Sequence, residues 1–183
     1  MAIAARSFAG TYELDRVHST VQFAVRHVGV STFRATFGDL DARLVIDDAG
    51  ISLEGSVRVE SVSIGTPQEF RDHIVRGDDF FDVDAYPEIV FRSTSVELTD
   101  DGGATVAGDL ELRGVSHPVT THGTYQPPVE DPFGTRRVGL ELGTTIDRRS
   151  FGMDWQMPLP DGGDALGWDV EVTAHLELTQ AGR

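Results

Sequence analysis

Apolar and polar residues alternate along most of this chain, and this period of two limits the fold more than any other feature. In segment 19–28, Val21, Phe23, Val25 and His27 share one face, and the other face is mostly polar. We predict about eight or nine antiparallel strands from such patterns. Long strands with one apolar face need a closed barrel or a sandwich. The remaining strands are predicted at 11–14, 36–46, 51–59, 104–112, 115–125, 136–146, 168–178 and, with a β-bulge, 88–98.

Segment 66–91 breaks this alternation, because it has the pattern of an amphipathic helix followed by aromatic residues. Thr66 suits the N-cap, Pro67 the first helical position, and Glu69 a capping box with Thr66. Gly77 can end the helix. This pattern predicts a lid or plug on a β structure with an apolar interior. The residues on its apolar face are Phe70, His73 and Ile74, and the aromatic residues after it are Phe80, Phe81, Tyr86 and Phe91.

A second closing segment is predicted at 150–166, which is unusually apolar for a loop. Exposing its large side chains to water would cost ~25 cal/mol per Å² of apolar surface. We therefore expect them to fold back onto an apolar opening. These side chains are Phe151, Met153, Trp155 and Met157.

The composition excludes several classes of partner and chemistry. A formal net charge of −15 repels both a nucleic-acid backbone and an anionic membrane surface. All fifteen basic residues are arginine, so a Schiff-base lysine and a lysine-dependent P-loop cannot exist. The chain contains no cysteine, which excludes disulfides, thiolate catalysis and cysteine-ligated zinc.

The sequence also indicates where in the cell the protein is expected. No segment approaches the ~20 apolar residues of a membrane span. Residues 1–10 lack the charged n-region and the apolar run of a signal peptide. From these features we expect no integral membrane segment and a cytoplasmic protein.

Several stretches follow one another in an order that matches a known family. They span nearly the whole chain, and it is their order that makes the match specific. In these stretches the sequence resembles the YceI-like family, the lipocalin-like polyisoprenoid-binding proteins. The matching stretches are 15–19 (DRVHS), 23–27 (FAVRH), 33–38 from Phe33 to Phe37-Gly38, 71–73 (RDH), 79–83 (DFFDV), 86–91 from Tyr86-Pro87 to Phe91, 108–115 (GDLELRGV), 147–148 and 151–152.

The resemblance implies a fold and a ligand. It implies one domain over residues 1–183, an all-β, eight-stranded antiparallel lipocalin-like barrel whose interior is closed by the amphipathic helix. Such a barrel would hold a long isoprenoid chain in an apolar tunnel, with that lipid as ligand and no other cofactor. The resemblance also implies a homodimer. Many relatives carry a secretory leader, whereas from the pattern of residues 1–10 we expect none here.

Together with the strand alternation, the resemblance predicts that a set of inward-facing residues contacts the ligand. For each of them, plain core packing is the alternative. An eight-stranded barrel is about the size at which the interior either fills with side chains or holds one small ligand. The candidate ligand-binding residues are Phe23, Val25, His27, Leu44, Val57, Phe70, Ile74, Phe80, Phe81, Phe91, Leu110, Leu140, Arg148, Phe151 and Trp168.

Two of these candidates are polar. His27 lies in phase with an apolar face, as a core histidine does, but it could also bond the hydroxyl, carbonyl or phosphate end of a ligand. Arg148 could bind an anionic head group, because a guanidinium matches phosphate geometry. Its alternative is a structural ion pair with Asp147 or another carboxylate.

No catalytic or metal site is predicted. Asp15, His18 and Ser19 suggest a hydrolytic triad, but adjacent strand residues point to opposite faces. A set of turn-stabilising hydrogen bonds is the better interpretation. His117 and His122 are five residues apart, so an unbroken strand places them on opposite faces.

Three functions remain open. The first is non-enzymatic carriage or storage of an isoprenoid lipid, with a quinone or a prenyl phosphate as the type of head group. The second is an enzyme acting on a small hydrophobic substrate inside the barrel, which needs an acid–base pair within hydrogen-bond reach. The third is a filled barrel that associates with other proteins.

Overall fold

The computed structural model describes residues 8–181, which form an antiparallel β structure with one α-helix in that range. Residues 1–7 lie outside the described residues, and with them most of the segment on which the expectation of no leader rests. The strands are β1 (Gly10–Leu14), β2 (Thr20–His27), β3 (Ser31–Phe37), β4 (Leu40–Asp47), β5 (Gly50–Arg58), β6 (Glu88–Leu98), β7 (Gly103–Leu112), β8 (Val115–Glu130), β9 (Arg136–Asp147) and β10 (Leu166–Gln180); helix α1 is Gln68–Arg76. Short 3-10 turns occupy Val59–Ser61 and Arg148–Phe151.

Eight of these strands form a closed ring. The hydrogen-bonded order runs β1-β4-β5-β6-β7-β8-β9-β10, and β1 also pairs with β10. Every pairing in the ring is antiparallel. The predicted all-β, eight-stranded closed barrel with one short helix is therefore confirmed.

The hairpin β2–β3 pairs with the same edge of β10 as β1 does, but along a different part of that strand. The C-terminal part of β10 pairs with β1, where Leu178 lies opposite Leu14, and its N-terminal part pairs with β2. On the far side, β1 pairs with β4, but β3 makes only an isolated bridge from Phe37 to Val62. The wall is thus continuous at one end of the barrel. At the other end, within the described residues, no strand ladder joins the hairpin to β4 or β5.

One predicted strand is wrong in its extent. Residues 36–46 were expected as a single strand, but β3 ends at Phe37 and β4 begins at Leu40. The amide of Gly38 donates to the carbonyl of Ser61, and the carbonyl of Asp39 accepts from the amide of Arg58. The chain breaks here because β3 pairs with β2 whereas β4 pairs with β5. The bulge predicted in β6 is confirmed, as a register shift between Ser93 and Ser95.

Helix α1 begins without the predicted capping box. The Thr66–Pro67 peptide is cis, Pro67 occupies the N-cap, and no side chain caps the helix. The carbonyl of Pro67 instead accepts from the amides of Phe70 and Arg71. Gly77 ends the helix as predicted, with its amide donating to His73. No helix among residues 8–181 has both the length and the apolar character needed to cross a membrane.

One end of the barrel is packed solid. Its interior is filled by the side chains of Tyr12, Leu44, Leu140 and Leu178, each at most 1% exposed. All four come from neighbouring strands of the ring, β4-β1-β10-β9, and belong to one packed cluster. This packed layer forms a floor, and the rest of the interior lies above it.

Candidate functional site

Above the floor the barrel is hollow. The cavity has a volume of about 860 Å³ and is bordered by all of the strands except β1, by α1 and by the 148–166 segment. Its wall is mostly aromatic and aliphatic. A volume of this size lies within the ~300–1,000 Å³ of pockets that hold small organic ligands. The predicted hollow interior is therefore present, and a completely filled barrel is excluded.

Strand β2 supplies the face that the alternation predicted. Val21, Phe23, Val25 and His27 all border the cavity. The same parity continues on the neighbouring strands, where Leu142, Thr144 and Ile146 of β9 and Val170, Val172 and Ala174 of β10 line the wall. Strand parity alone therefore identified which side chains point inward.

Aromatic rings make up one side of the wall. The Phe23 ring centroid lies 6.2 Å from that of Phe33, 5.8 Å from that of Phe37 and 5.9 Å from that of Phe81. Phe33 in turn meets Phe70 of the helix edge-on at 6.0 Å. Such pairs contribute about 0.5–1.5 kcal/mol each beyond their burial. The rings tie the β2–β3 hairpin to α1 and to the segment that follows it.

Two segments close the hollow end. Phe70, His73 and Ile74 of α1 face the cavity, as the helical pattern predicted. The His73 ring meets Phe80 at 5.1 Å and Trp155 at 6.1 Å, so α1 and the 150–166 segment contact each other directly. We call α1 through Phe81 together with 150–166 the lid.

The apolar side chains of the 150–166 segment mostly fold inward, as expected. Phe151 and Met153 are buried, and Met153 and Trp155 border the cavity. Met157 is the exception, because it is 58% exposed. It lies beyond the turn at which the amide of Ala165 donates to its carbonyl.

Arg148 holds the lid through backbone carbonyls. It is 3% exposed and donates to the carbonyl oxygens of Met153 (2.6 Å), Trp155 (2.8 Å), Gly167 (2.9 Å) and Leu166 (3.4 Å). Burial lowers the pKa of this guanidinium from its ordinary value. The ion pair considered for Arg148 is wrong: among the described residues it has no carboxylate partner within 4.0 Å, and Asp147 pairs with Arg149.

A second arginine joins the two parts of the lid. Arg113, in the turn between β7 and β8, donates to the carbonyl of Gly152 and to that of Asp78. Its Nε is buried and has no hydrogen-bond partner. Arg113 was not predicted as a site residue and entered only as part of the family resemblance, because its partners are carbonyls, which leave no trace in a sequence pattern.

Exposed or partly exposed side chains border the cavity in two places. The first, which we call the mouth, lies between the β2–β3 hairpin and α1 and is bordered by His27, Ser31, Phe70 and His73, all exposed. The second, the side gap, is bordered by polar residues of outward parity where the hairpin is not paired with β4 or β5. These residues are Gln22, Asp41, Glu54 and Ser56.

Most of the candidate ligand-binding residues lie on the cavity wall, and their contact with a ligand stays a prediction. His27 is not a buried core histidine, since it lies at the exposed mouth. Phe33, Phe37 and Trp155 also line the wall and were missed as candidates, although the alternation of Phe33 and Phe37 in β3 could have identified them. The candidates on the wall are Phe23, Val25, His27, Val57, Phe70, Ile74, Phe80, Phe81, Phe91, Leu110 and Arg148.

Four candidates lie off the wall, so their predicted position is wrong. Leu44 and Leu140 have the right parity but belong to the floor. Phe151 is buried behind the wall, with its ring 5.2 Å from that of His117. Trp168 is turned away by the register shift between Leu166 and Val170, and its ring stacks on Arg148 at 4.3 Å and on Arg149 at 4.8 Å.

The suspected triad is a structural cluster at the floor end. Asp15 accepts from the amide of Val17, from His18 Nδ1 at 3.0 Å and from Arg137 at 2.8 Å. The Ser19 hydroxyl bonds only the backbone of Glu177. Hydrogen bonds from Arg137 and His18 hold the pKa of Asp15 well below its usual range. The interpretation as turn-stabilising hydrogen bonds is confirmed.

Asp15, His18 and Glu177 also lie close enough together to hold a metal ion. Arg137 lies between the two carboxylates, however, at 2.8 Å from Asp15 and 2.6 Å from Glu177. The guanidinium already neutralises the charges that a cation would need. The geometry therefore fits an ion-pair cluster better than a metal site.

Comparison with known proteins adds to this geometry. A family model described as the YceI-like domain matches residues 12–178. A UPF0312 protein of Pseudomonas putida is 35% identical over 153 residues, which make up 82% of this chain and 80% of that protein.

Two solved structures share the fold. BcnA of Burkholderia cenocepacia superposes with a TM-score of 0.70 at 22% identity, covering 90% of this chain and 98% of that one. A polyisoprenoid binding domain from Saccharophagus degradans, implicated in plant cell wall breakdown, superposes with a TM-score of 0.65 at 16% identity, covering 92% and 98%. The barrel, its lid and the match across residues 12–178 lead to one assignment: this chain belongs to the YceI-like family.

Proposed function

We propose that this protein binds a polyisoprenoid lipid in its cavity, as a non-enzymatic carrier or store. The observation that carries the proposal is the cavity of about 860 Å³ with a wall of aromatic and aliphatic side chains. An isoprenoid tail offers no hydrogen bonds, so its affinity has to come from buried apolar area. The cavity supplies that area, and the lid supplies the cover.

The magnitudes favour a long chain over a small ligand. Each buried methylene contributes about 0.8 kcal/mol. Association costs about 4–15 kcal/mol before any affinity appears. A ligand with many apolar carbons therefore gains most from this wall, and the structural neighbour from Saccharophagus degradans, a polyisoprenoid binding domain, supports the same class.

The wall supports binding over catalysis. An enzyme inside the barrel would need two titratable groups within hydrogen-bond reach. The titratable side chains that border the cavity are His27, Asp41, Glu54, His73 and Arg148, and no hydrogen bond or ion pair joins any two of them. His73 pairs instead with Asp79, at 3.5 Å.

Mass spectrometry of organic extracts from the purified protein tests the proposal. We expect an isoprenoid lipid in the extract, and rebinding of prenyl lipids by the delipidated protein. If no lipid is extracted and none is bound on addition, the proposal is wrong. Homodimerisation and a cytoplasmic location stay predictions, which light scattering and cell fractionation measure.

A further inference from the structure

The two sides of the mouth differ in how many polar contacts hold them. On the lid side, Glu60 in the 3-10 turn after β5 pairs with Arg71 of α1 at 3.1 Å and with Arg76 at 3.3 Å. Arg113 and Arg148 hold the rest of the lid through backbone carbonyls. A movement of the lid would have to break these bonds together.

The hairpin β2–β3, on the other side of the mouth, is held mainly along one edge. Strand β2 pairs with β10, and the amide of Val28 donates to the carbonyl of Ala165 at 2.7 Å. At the base of the hairpin, Thr36 exchanges hydrogen bonds with Ser63. Between these points, in the described part of the chain, residues 29–35 make no hydrogen bond or ion pair to a residue outside the hairpin.

The backbone groups on the outer edge of β3 have no partner across that edge. In an antiparallel ladder, residues alternate between pairing with the neighbouring strand and pointing away from it. Because Thr36 directs its N–H and C=O groups to Ser63, those of Thr32 and Arg34 point to the same outer edge. An outward movement of this edge would therefore break no backbone hydrogen bond across it.

Aromatic side chains close the mouth at this edge. Phe33 of β3 meets Phe70 of α1 edge-on, with ring centroids 6.0 Å apart. Phe70 is 41% exposed and also borders the cavity. Among residues 8–181, this is the only pair of aromatic rings that joins residues 29–35 to α1. Separation of the two rings would open the cavity between the hairpin and the lid.

We propose that the outer edge of β3, Ser31–Arg34, is the gate of the cavity and moves away from α1 while the lid stays in place. The inference rests on the proposed function, because the gate is argued for a cavity that takes up lipid. Local opening favours segments with few buried contacts and exposed backbone groups. The ladder between β2 and β10 is the hinge, since it pairs without interruption from Thr20 to Val25. Such a gate sets the rates of uptake and release and leaves the equilibrium affinity unchanged.

Cross-linking of introduced cysteines tests which side of the mouth moves, and the chain has no cysteine of its own to interfere. A short bismaleimide joins Phe33→Cys to Phe70→Cys as the gate link, or Glu60→Cys to Arg71→Cys as the lid link. The control for each is the same double variant capped with N-ethylmaleimide, which adds similar bulk without a link. The probe is retinol, a fluorescent isoprenoid alcohol. Energy transfer from tryptophan reports its binding, since Trp155 lies on the cavity wall.

Uptake by the delipidated full chain and release into phosphatidylcholine vesicles are measured by stopped flow. We expect the gate link to slow both rates by at least about tenfold relative to its capped control, at equal equilibrium affinity. The lid link should leave both rates unchanged. Slowing by the lid link, or no slowing by either link, overturns the gate and leaves the proposed function intact. Failure of the wild type to bind both retinol and geranylgeraniol overturns the proposed function and the gate with it.

A single substitution tests the gate without a cross-linker. Phe70→Ala removes one ring of the closing pair, so we expect faster uptake of retinol by about 2–10-fold, the factor that corresponds to one aromatic pair. A residue that only contacts the ligand would change release and leave uptake as it is. Ile74→Ala is the matched control, because Ile74 borders the cavity from the same helix and has no ring to pair with Phe33. Unchanged uptake by Phe70→Ala would contradict the gate.

Discussion

An arginine side chain holds elements together at each end of the barrel, and the two arginines bind different kinds of partner. Arg137, near the start of β9, lies at the floor end and pairs with the carboxylates of Asp15, Asp131 and Glu177. Arg148 follows the last residue of the same strand and donates only to backbone carbonyls, those of Met153, Trp155 and Leu166 in the lid and that of Gly167 in β10. One strand thus carries a charged cluster at one end and a buried cation without a carboxylate partner at the other.

The difference follows from what each end has to hold. Asp15 directly follows β1, Asp131 lies in the β8–β9 loop and Glu177 lies in β10. Arg137 therefore reinforces an end of the barrel at which β1, β10 and β9 already pair in a ladder. The part of the lid at 150–166 has little regular structure, and the carbonyls of Met153 and Trp155 have no strand partners. A buried carbonyl without a donor costs about 1–3 kcal/mol. Arg148 provides those donors, and it allows an irregular segment to cover a hollow.

The largest expected effect is a difference in unfolding free energy between a floor variant and a wall variant. Leu140→Ala removes a floor side chain that is 1% exposed and leaves a new void, which should cost about 4 kcal/mol of unfolding free energy. Leu110→Ala enlarges a cavity that already exists, so we expect a cost of about 1 kcal/mol. Urea unfolding measures both. Equal losses would mean that the space above the floor is packed in solution.

The next largest effect is a difference in stability between variants of two adjacent arginines. Arg148→Met keeps the stem and removes the donors of four hydrogen bonds, so we expect a loss of about 3 kcal/mol, because some of the carbonyls regain water. Lipid retention should fall with it. Arg149→Met is the matched control, because Arg149 is exposed and contacts only side chains, the carboxylate of Asp147 and the ring of Trp168. If both variants unfold at the same urea concentration, Arg148 does not hold the lid.

The smallest effect concerns the floor cluster and depends on pH. Hydrogen bonds from Arg137 hold the pKa of both Asp15 and Asp131 below the ordinary value. A depressed carboxyl pKa stabilises the fold above the pKa of the unfolded chain, about 3.9, and this stabilisation is lost as the pH falls through the folded value.

Arg137→Met should therefore lower the urea midpoint modestly at neutral pH, by less than Arg148→Met. The gap between this variant and the wild type should begin to narrow as the pH falls below about 4, and it should go on narrowing towards the depressed pKa values of the folded state. Unfolding curves from pH 7 to pH 3 measure the gap. A gap that stays constant with pH would show that Arg137 acts by packing and not by charge.

The alternation in the sequence mostly predicted correctly which side chains point into the barrel. It did not predict whether an inward side chain belongs to the floor or to the cavity wall. Alternation placed Phe23 and Val25 correctly, because the period of a strand decides which face a residue occupies. It could not separate Leu140 from Leu142, since both point inward and only the closure of the ring by β1 decides where the floor lies. Trp168 was misplaced because a local register shift overrides parity.

Contacts with the backbone were beyond the reach of the sequence. The partners of Arg148 are backbone carbonyls, which every residue has, so no residue type in the sequence indicates where they are. The start of α1 was misjudged for a related reason. Thr66 and Glu69 fit a capping box, but Pro67 occupies the N-cap, and its carbonyl accepts from the amides of Phe70 and Arg71 in place of a side-chain cap.

Filling the cavity tests the central claim, that this space holds the lipid, most directly. Ala174→Trp places an indole into the cavity from β10, whereas Glu171→Trp places the same ring on an exposed position of the same strand. Native mass spectrometry of each delipidated variant with added geranylgeraniol counts the lipid bound per chain. We predict that Glu171→Trp binds lipid like the wild type and that Ala174→Trp stays folded and binds none. Full binding by folded Ala174→Trp would contradict the account.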